Sequence, residues 1–388
     1  MSDGSRKFLL FPVILFASFF ALDKVMCLDS VKKYTQDDAT YVYYDYKPEL
    51  LEEMKEFDRL RKLPPADRDG NCLEPEMKEC SVHSGKRILV VLGSSRLLYF
   101  NYENFKHAYP NWEMFNFSAP VSSPAYFDYM LQEVLATGVK PDYIIAETDP
   151  FQFNENSPGF IKSNLAYSFD FPYVLQNFSL LSSDEGFTAD EVSQFLAKNL
   201  FAGYRFRPHL DKAFERLSDP QNKFLIAIES MDAFQRANRG GGMSLIPRPD
   251  YYERDYANLE ATSAMTVRWI YGNYELSERQ WDFMDQLIER ARESGTPLIF
   301  LRPPVSRPMQ SILDGDELIQ ENTKIWSRRM DERLKGEMLI DLTDGDPFHC
   351  NTFADGSHMS MQCYNPVLSV AMDAYPIIKK AYGEAYKR

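Results

Sequence analysis

Residues Arg87 to Leu92 read Arg-Ile-Leu-Val-Val-Leu, a continuous apolar run that stops at Gly93-Ser94-Ser95. A strand that is apolar on both faces has to be covered on both, which is the condition of a parallel sheet between layers of helices. The following segments keep to that pattern. Trp112 to Phe117 reads as a second strand, Pro124 to Ala136 as a helix, and Asp142 to Ala146 as a third strand that stops before Asp149-Pro150. Glu278 to Glu293 has the periodicity of an amphipathic helix, with Ser277 placed to cap its start and Ser294-Gly295 to end it. Pro297 to Leu301 and Met338 to Leu342 are the fourth and fifth strands, and Asn365 to Tyr382 is a C-terminal helix. The alternation predicts an α/β domain over residues 87–388: a three-layer, doubly wound parallel sheet with its ligands at the carboxyl ends of the strands.

Three stretches depart from that alternation. Residues 151–273 are rich in aromatics and helix-like runs (Asp190 to Leu200, Leu210 to Leu217) and contain Arg239-Gly240-Gly241-Gly242. They read as a helical insertion over the strand ends, a lid or acceptor platform with the triple glycine as a mobile loop; a packing subdomain is the alternative. Residues 29–86 form a polar connector with one helix, Pro48 to Arg61, ahead of Pro64-Pro65. In residues 1–28, Arg6-Lys7 precedes an apolar stretch from Phe8 to Leu22, followed by Asp23-Lys24 and then Val25 to Leu28. Fifteen residues have the length of a signal-peptide core, but bulky side chains surround Ala21, where a cleavage site would fall. Counted through Leu28, with Asp23 and Lys24 paired or snorkelling, the segment is long enough for an uncleaved transmembrane signal anchor. A cleaved signal and a buried helix are the competing readings.

Composition bears on compartment and partners. Besides Cys27 there are four cysteines, Cys72, Cys80, Cys350 and Cys363, in two close pairs within polar sequence. That suits short-loop disulfides, Cys72–Cys80 and Cys350–Cys363, in an oxidising compartment; neither pair has the spacing of a zinc loop. The expected location is therefore the cytoplasmic membrane, with the folded domain on its extracytoplasmic, periplasmic side. Hydrophobic residues at 44% exclude a disordered chain, and the net charge of −14 without a long basic stripe argues against a nucleic-acid partner. Gly93-Ser94-Ser95-Arg96 lacks the Lys-Ser/Thr of a phosphate loop, and no metal or other cofactor is implied.

Chemistry concentrates at two places. Near the C-terminus, Asp355-Gly356-Ser357-His358 sets an acid three positions from an imidazole, so that the carboxylate can fix the tautomer while the far ring nitrogen takes a proton. A serine on the turn after the first strand, Ser95 or its neighbour Ser94, supplies the third part. A second Asp-x-x-His, Asp346 to His349, competes for the base, although Pro347 stiffens it and Cys350 follows directly. His83, His107 and His209 are isolated. Arg96, Arg302 and Arg307 are either contacts for an anionic substrate or solvated side chains.

Strand–Gly-x-Ser near the start of the domain and Asp-x-x-His near its end resemble the first and last blocks of the SGNH (GDSL-like) hydrolases. The anchored layout and Gly-Ser-Ser are similar to the D-alanine transfer proteins, to alginate O-acetyltransferase relatives, and to a bacterial family with one N-terminal anchor and an exported SGNH-like domain. The resemblance covers roughly residues 85–150 and 296–385 and implies an SGNH/flavodoxin-like fold. It implies Ser95 as nucleophile, His358 as base and Asp355 as its orienting acid. For the oxyanion it implies the Ser95 backbone, with Ser118 or Ala119 from the second block. Where the third block has an asparagine this chain has Glu147-Thr148-Asp149-Pro150, so that donor is either missing or replaced by Thr148. Function follows by the same route: a serine O-acyltransferase or esterase acting on a cell-envelope glycan or lipid-linked sugar, with a membrane-bound O-acyltransferase as acyl donor. A noncatalytic envelope-binding or assembly protein on a decayed site is the rival expectation.

Overall fold

The computed structural model describes residues 3–36, 39–67, 69–74, 77, 79–98, 102–156, 167–181, 189–219, 221–241, 251–343 and 352–385. Five strands, β1 (Arg87–Leu92), β2 (Trp112–Asn116), β3 (Tyr143–Glu147), β4 (Leu298–Arg302) and β5 (Met338–Asp341), form one sheet in the order β2-β1-β3-β4-β5. Every pairing is parallel. The four strands β1 to β4 are buried almost throughout, as their unbroken apolar runs require, whereas edge strand β5 is only half-buried. The order reverses between β1 and β3, and the crevice outside the carboxyl ends at such a reversal is where open α/β sheets bind ligands.

Helices flank this sheet. Pro124–Ala136 packs against Glu278–Ser294, which buries Trp281, Met284, Leu287, Ile288 and Ala291 on one face. Ser277 caps the second helix by accepting from the Gln280 N–H, and Gly295, at φ +64°, closes it in the left-handed conformation glycine tolerates. The C-terminal helix runs from Met361 to Ala385.

The chain divides into two compact units, and the sheet lies in the one made of residues 43–164 and 231–388. Part of the segment that reads as a polar connector belongs to this unit's core: helix Lys47–Arg61 buries Leu50, Met54 and Phe57, and the Phe57 ring meets Phe115 of β2 edge-on. Cys72 and Cys80 form a disulfide with Cα atoms 5.3 Å apart. Cys363 is also disulfide-bonded, while Cys350, its expected partner, lies outside the described residues.

The other unit comprises residues 1–42 and 165–230. Its first helix, Asp3–Val25, exposes Leu10, Phe11, Ile14, Phe16 and Phe19. Asp23 is paired: its carboxylate accepts from the backbone N–H groups of Ala202 and Gly203, at 2.7 and 2.8 Å, and so caps helix Ala202–Phe206. Lys24 donates to the Leu200 carbonyl. Among the described residues no single helix is long and apolar enough to cross a membrane. Leu10–Val25 and Asp29–Thr35 pass that test only as a pair bent by 76°.

Arg239-Gly240, where the glycine run begins, is held by contacts: the Arg239 carbonyl accepts from Asn116 N–H at 2.8 Å, and Arg239 pairs with Glu53 and Glu113. Lys47, buried with no carboxylate partner among the described residues, donates to the carbonyls of Asn116 (3.0 Å) and Gly240 (3.4 Å), and burial pushes its ammonium down to about 7. Gly240 sits at φ +87°, where a Cβ would fall 2.1 Å from the Asn116 carbonyl oxygen. Gly242 lies outside the described residues. Gly240→Ala therefore combines backbone strain with a clash against main chain, and we expect it to destabilise the protein by more than about 2 kcal/mol. The urea midpoint checks this; a variant within 0.5 M of wild type, on the order of 1 kcal/mol, would contradict the packing described.

Candidate active site

The turn after β1 is tight because it has to be. A Cβ on Gly93 would lie 2.7 Å from the Leu97 Cβ, so the chain can fold directly into the short 3-10 helix Ser95–Leu97 only if residue 93 has no side chain. The two serines that follow have separate tasks. Ser94 is buried, and its N–H and hydroxyl both donate to Glu147, at 2.7 and 2.8 Å, while its oxygen accepts from the Arg96 N–H. Ser95 is left to face the solvent side, and its Oγ lies 2.7 Å from Nε2 of His358.

His358 arrives on a loop closed on itself. Ala354 N–H donates to the His358 carbonyl and Ser360 N–H to Thr352, while Phe353 bridges Met359. Gly356 lies against helix Tyr256–Ile270 so closely that a Cβ would fall 2.6 Å from the Ser263 Cα. Within the loop, Nδ1 of His358 lies 2.7 Å from one carboxylate oxygen of Asp355, and the other accepts from the N–H groups of Ser357 and His358, each at 2.9 Å. A carboxylate there can only accept, so Nδ1 carries the proton and Nε2 offers its lone pair to Ser95. Burial pushes the Asp355 carboxyl up, but His358 and the backbone donors outweigh it and hold the group far below its ordinary 3.8. Ser95, His358 and Asp355 thus converge from opposite ends of the chain.

The implied oxyanion donors fall into two groups. The backbone N–H of Ala119 donates to Gly93, that of Ser118 to the Asn116 side chain, and that of Thr148 to Leu301. Among the described residues the buried Ser118 and Thr148 hydroxyls have no hydrogen-bond partner, and neither has Ser95 N–H. Asn116 holds this side of the turn: its amide donates to the Leu97 carbonyl at 2.8 Å and its oxygen takes the Ser118 N–H.

Below the turn lies a buried charged cluster. Asp149 accepts from Arg96 (2.8 Å), Arg302 (3.3 Å) and the Tyr271 hydroxyl (2.6 Å), and Arg302 also reaches Asp341. Arg96 donates to the Pro303 carbonyl and approaches Glu147 at 3.8 Å. Burial raises the Asp149 carboxyl, yet the two guanidiniums and Tyr271 bring it below its ordinary value. For Glu147 burial wins over Arg96 and Ser94, and its carboxyl is pushed up. Arg96 and Arg302 are therefore structural ion-pair members, neither solvated nor free for a substrate; Arg307 is exposed. His83 packs on Phe57, and His107 is exposed. Asp346 and His349 lie outside the described residues. Among the described residues no cluster could hold a metal ion.

Together these features define a parallel α/β protein with a hydrogen-bonded Ser–His–Asp arrangement at the strand ends. The chain matches the model of the family described as protein of unknown function DUF1574 over residues 4–375, and it belongs to that family. A comparison with curated proteins returned no match.

Removing Glu147 strands the N–H and hydroxyl of Ser94 and leaves Arg96 with one carboxylate fewer. We expect Glu147→Ala to cost about 2–4 kcal/mol of stability. Chemical denaturation measures it, and a loss under about 0.5 kcal/mol, the size typical of a surface change, would show that this contact does not support the turn.

Proposed function

We propose that this chain is a membrane-anchored, extracytoplasmic serine acyltransferase or esterase of SGNH type. Its acyl group passes through Ser95, and its acceptor is a cell-envelope glycan or lipid-linked sugar. The observation that carries the reading is the 2.7 Å approach of His358 Nε2 to Ser95 Oγ, with Asp355 at the same distance on the other nitrogen. The position of Ser95 beyond β1, at the reversal of strand order, supports it. The exposed apolar N-terminal helix and the Cys72–Cys80 disulfide support the anchored, exported setting.

The chemistry follows from the geometry. Ser95 Oγ attacks the carbonyl carbon of the acyl donor as its proton passes to His358 Nε2, and the carbonyl electrons move onto oxygen. Ser95 N–H, without a hydrogen-bond partner among the described residues, is the donor left to meet that oxyanion. Collapse breaks the bond to the donor's alcohol, which leaves with the proton from His358. An acceptor hydroxyl or water then gives its proton to His358 and attacks the acyl-Ser95 ester, and Ser95 recovers its hydrogen. Asp355 keeps its charge throughout and stabilises the imidazolium.

The test is turnover of p-nitrophenyl acetate by the purified full-length chain. Ser95→Ala is expected to abolish the acyl-enzyme, and His358→Ala to lower the rate by about 10³-fold or more, with a smaller loss for Asp355→Asn. A Ser95→Ala protein that turns over like wild type would remove Ser95 as nucleophile. A wild-type chain inert to acyl esters would favour a noncatalytic envelope-binding role.

A further inference from the structure

Helix Leu210–Ser218 exposes its apolar stripe. Leu210, Phe214 and Leu217, spaced i, i+4 and i+7, form one apolar stripe, and they are 64%, 73% and 63% exposed. One cation on another face of the helix is buried instead. Arg216 is 4% exposed; one guanidinium nitrogen donates to the carbonyls of Lys33, Tyr34 and Gln36, and the group lies 3.7 Å from the Phe224 ring centroid. In water the reverse orientation is the favourable one, so the stripe is built to meet an apolar phase.

The surroundings say which phase. The carbonyls that hold Arg216 lie at the end of helix Asp29–Thr35, directly after the apolar Leu10–Leu28 segment, and His209 N–H bonds the Thr35 carbonyl at 2.8 Å. The same unit exposes Leu196, Leu200 and Tyr204, and the helices that carry them are joined to the apolar helix through Asp23 and Lys24. Among the described residues, most exposed large apolar side chains fall within 10–28 and 171–226.

We infer that the Leu210–Ser218 helix lies in the headgroup–acyl boundary of a lipid bilayer, with Leu210, Phe214 and Leu217 inserted and Arg216 holding the helix to the chain that emerges from the anchor. An amphipathic helix of this kind binds through buried apolar area, and its polar flank stays at the water level. The proposal rests on the reading of the N-terminal segment as a membrane anchor.

The test uses the full chain in a Cys27→Ser background, reconstituted into vesicles of phosphatidylethanolamine and phosphatidylglycerol. The environment-sensitive fluorophore NBD is attached at Phe214→Cys, at Leu217→Cys or, on the flank, at Asp211→Cys. All three positions are exposed, so labelling leaves the packing intact. Lipids carrying a nitroxide high on the acyl chain are expected to quench the 214 and 217 labels several-fold more than the 211 label. Vesicle-bound protein whose 214 label stays open to aqueous iodide overturns the proposal and leaves the anchor standing. Protection that rises with protein density at fixed lipid assigns the stripe to a second copy and overturns it as well. Protein that fails to float with the vesicles removes both readings.

Discussion

The carboxylate of Glu147, buried at the end of β3, is the contact on which the strand-end architecture depends. It holds both the N–H and the hydroxyl of Ser94, and this fixes the turn that leaves β1. A charge in that position is expensive, and Arg96, 3.8 Å away on the same turn, offsets only part of the cost of burial. Arg96 in turn bonds Asp149, which follows Glu147 by two residues and gathers Arg302 from β4 and Tyr271. The ends of β1, β3 and β4 are thus tied together by charge where the sheet's backbone bonding stops. One consequence is a division of labour between adjacent serines, with Ser94 held as structure while Ser95 alone faces His358.

The second constraint is steric. Gly93 and Gly356 both admit a neighbour within about 3 Å of the place a Cβ would occupy, Leu97 in one case and Ser263 in the other. Each glycine lies within two residues of a member of the Ser–His–Asp set. The His358 loop is pressed onto helix Tyr256–Ile270, and Ser306 N–H bonds the Gly356 carbonyl at 2.9 Å, so the imidazole is positioned by packing from outside its own loop. Preorganisation of this kind keeps a proton acceptor at reacting distance without a reorganisation cost during each cycle.

Much of this was legible in the residues. Apolar runs that end in Gly-Ser-Ser or Glu-Thr-Asp give buried parallel strands wherever they fall, and the five strand positions follow within a residue or so. Asp355 and His358 are close in sequence, so their contact needed only a turn. The tertiary pairings were hidden. Glu147 and Asp149 stood in plain view, but their partners are 53 positions upstream and more than 100 downstream, and no local pattern announces them. A pair of acids directly after an apolar strand was the one available signal of a buried charge cluster. Gly240 was hidden for a different reason: a glycine run gives the same local signal whether it supplies freedom or a left-handed close approach. Asp23 is legible as one of a pair of opposite charges with Lys24, but nothing local reveals that it caps a helix near residue 202.

In the proposed function Ser95 is a nucleophile activated by His358. Fluorophosphonate labelling of the purified chain, with the modified residue mapped by peptide mass spectrometry, addresses it directly because only an activated serine reacts at a useful rate. Activation by His358 predicts modification at Ser95 that disappears in His358→Ala. Labelling at Ser94, or equal labelling of Ser95 with and without His358, would contradict it.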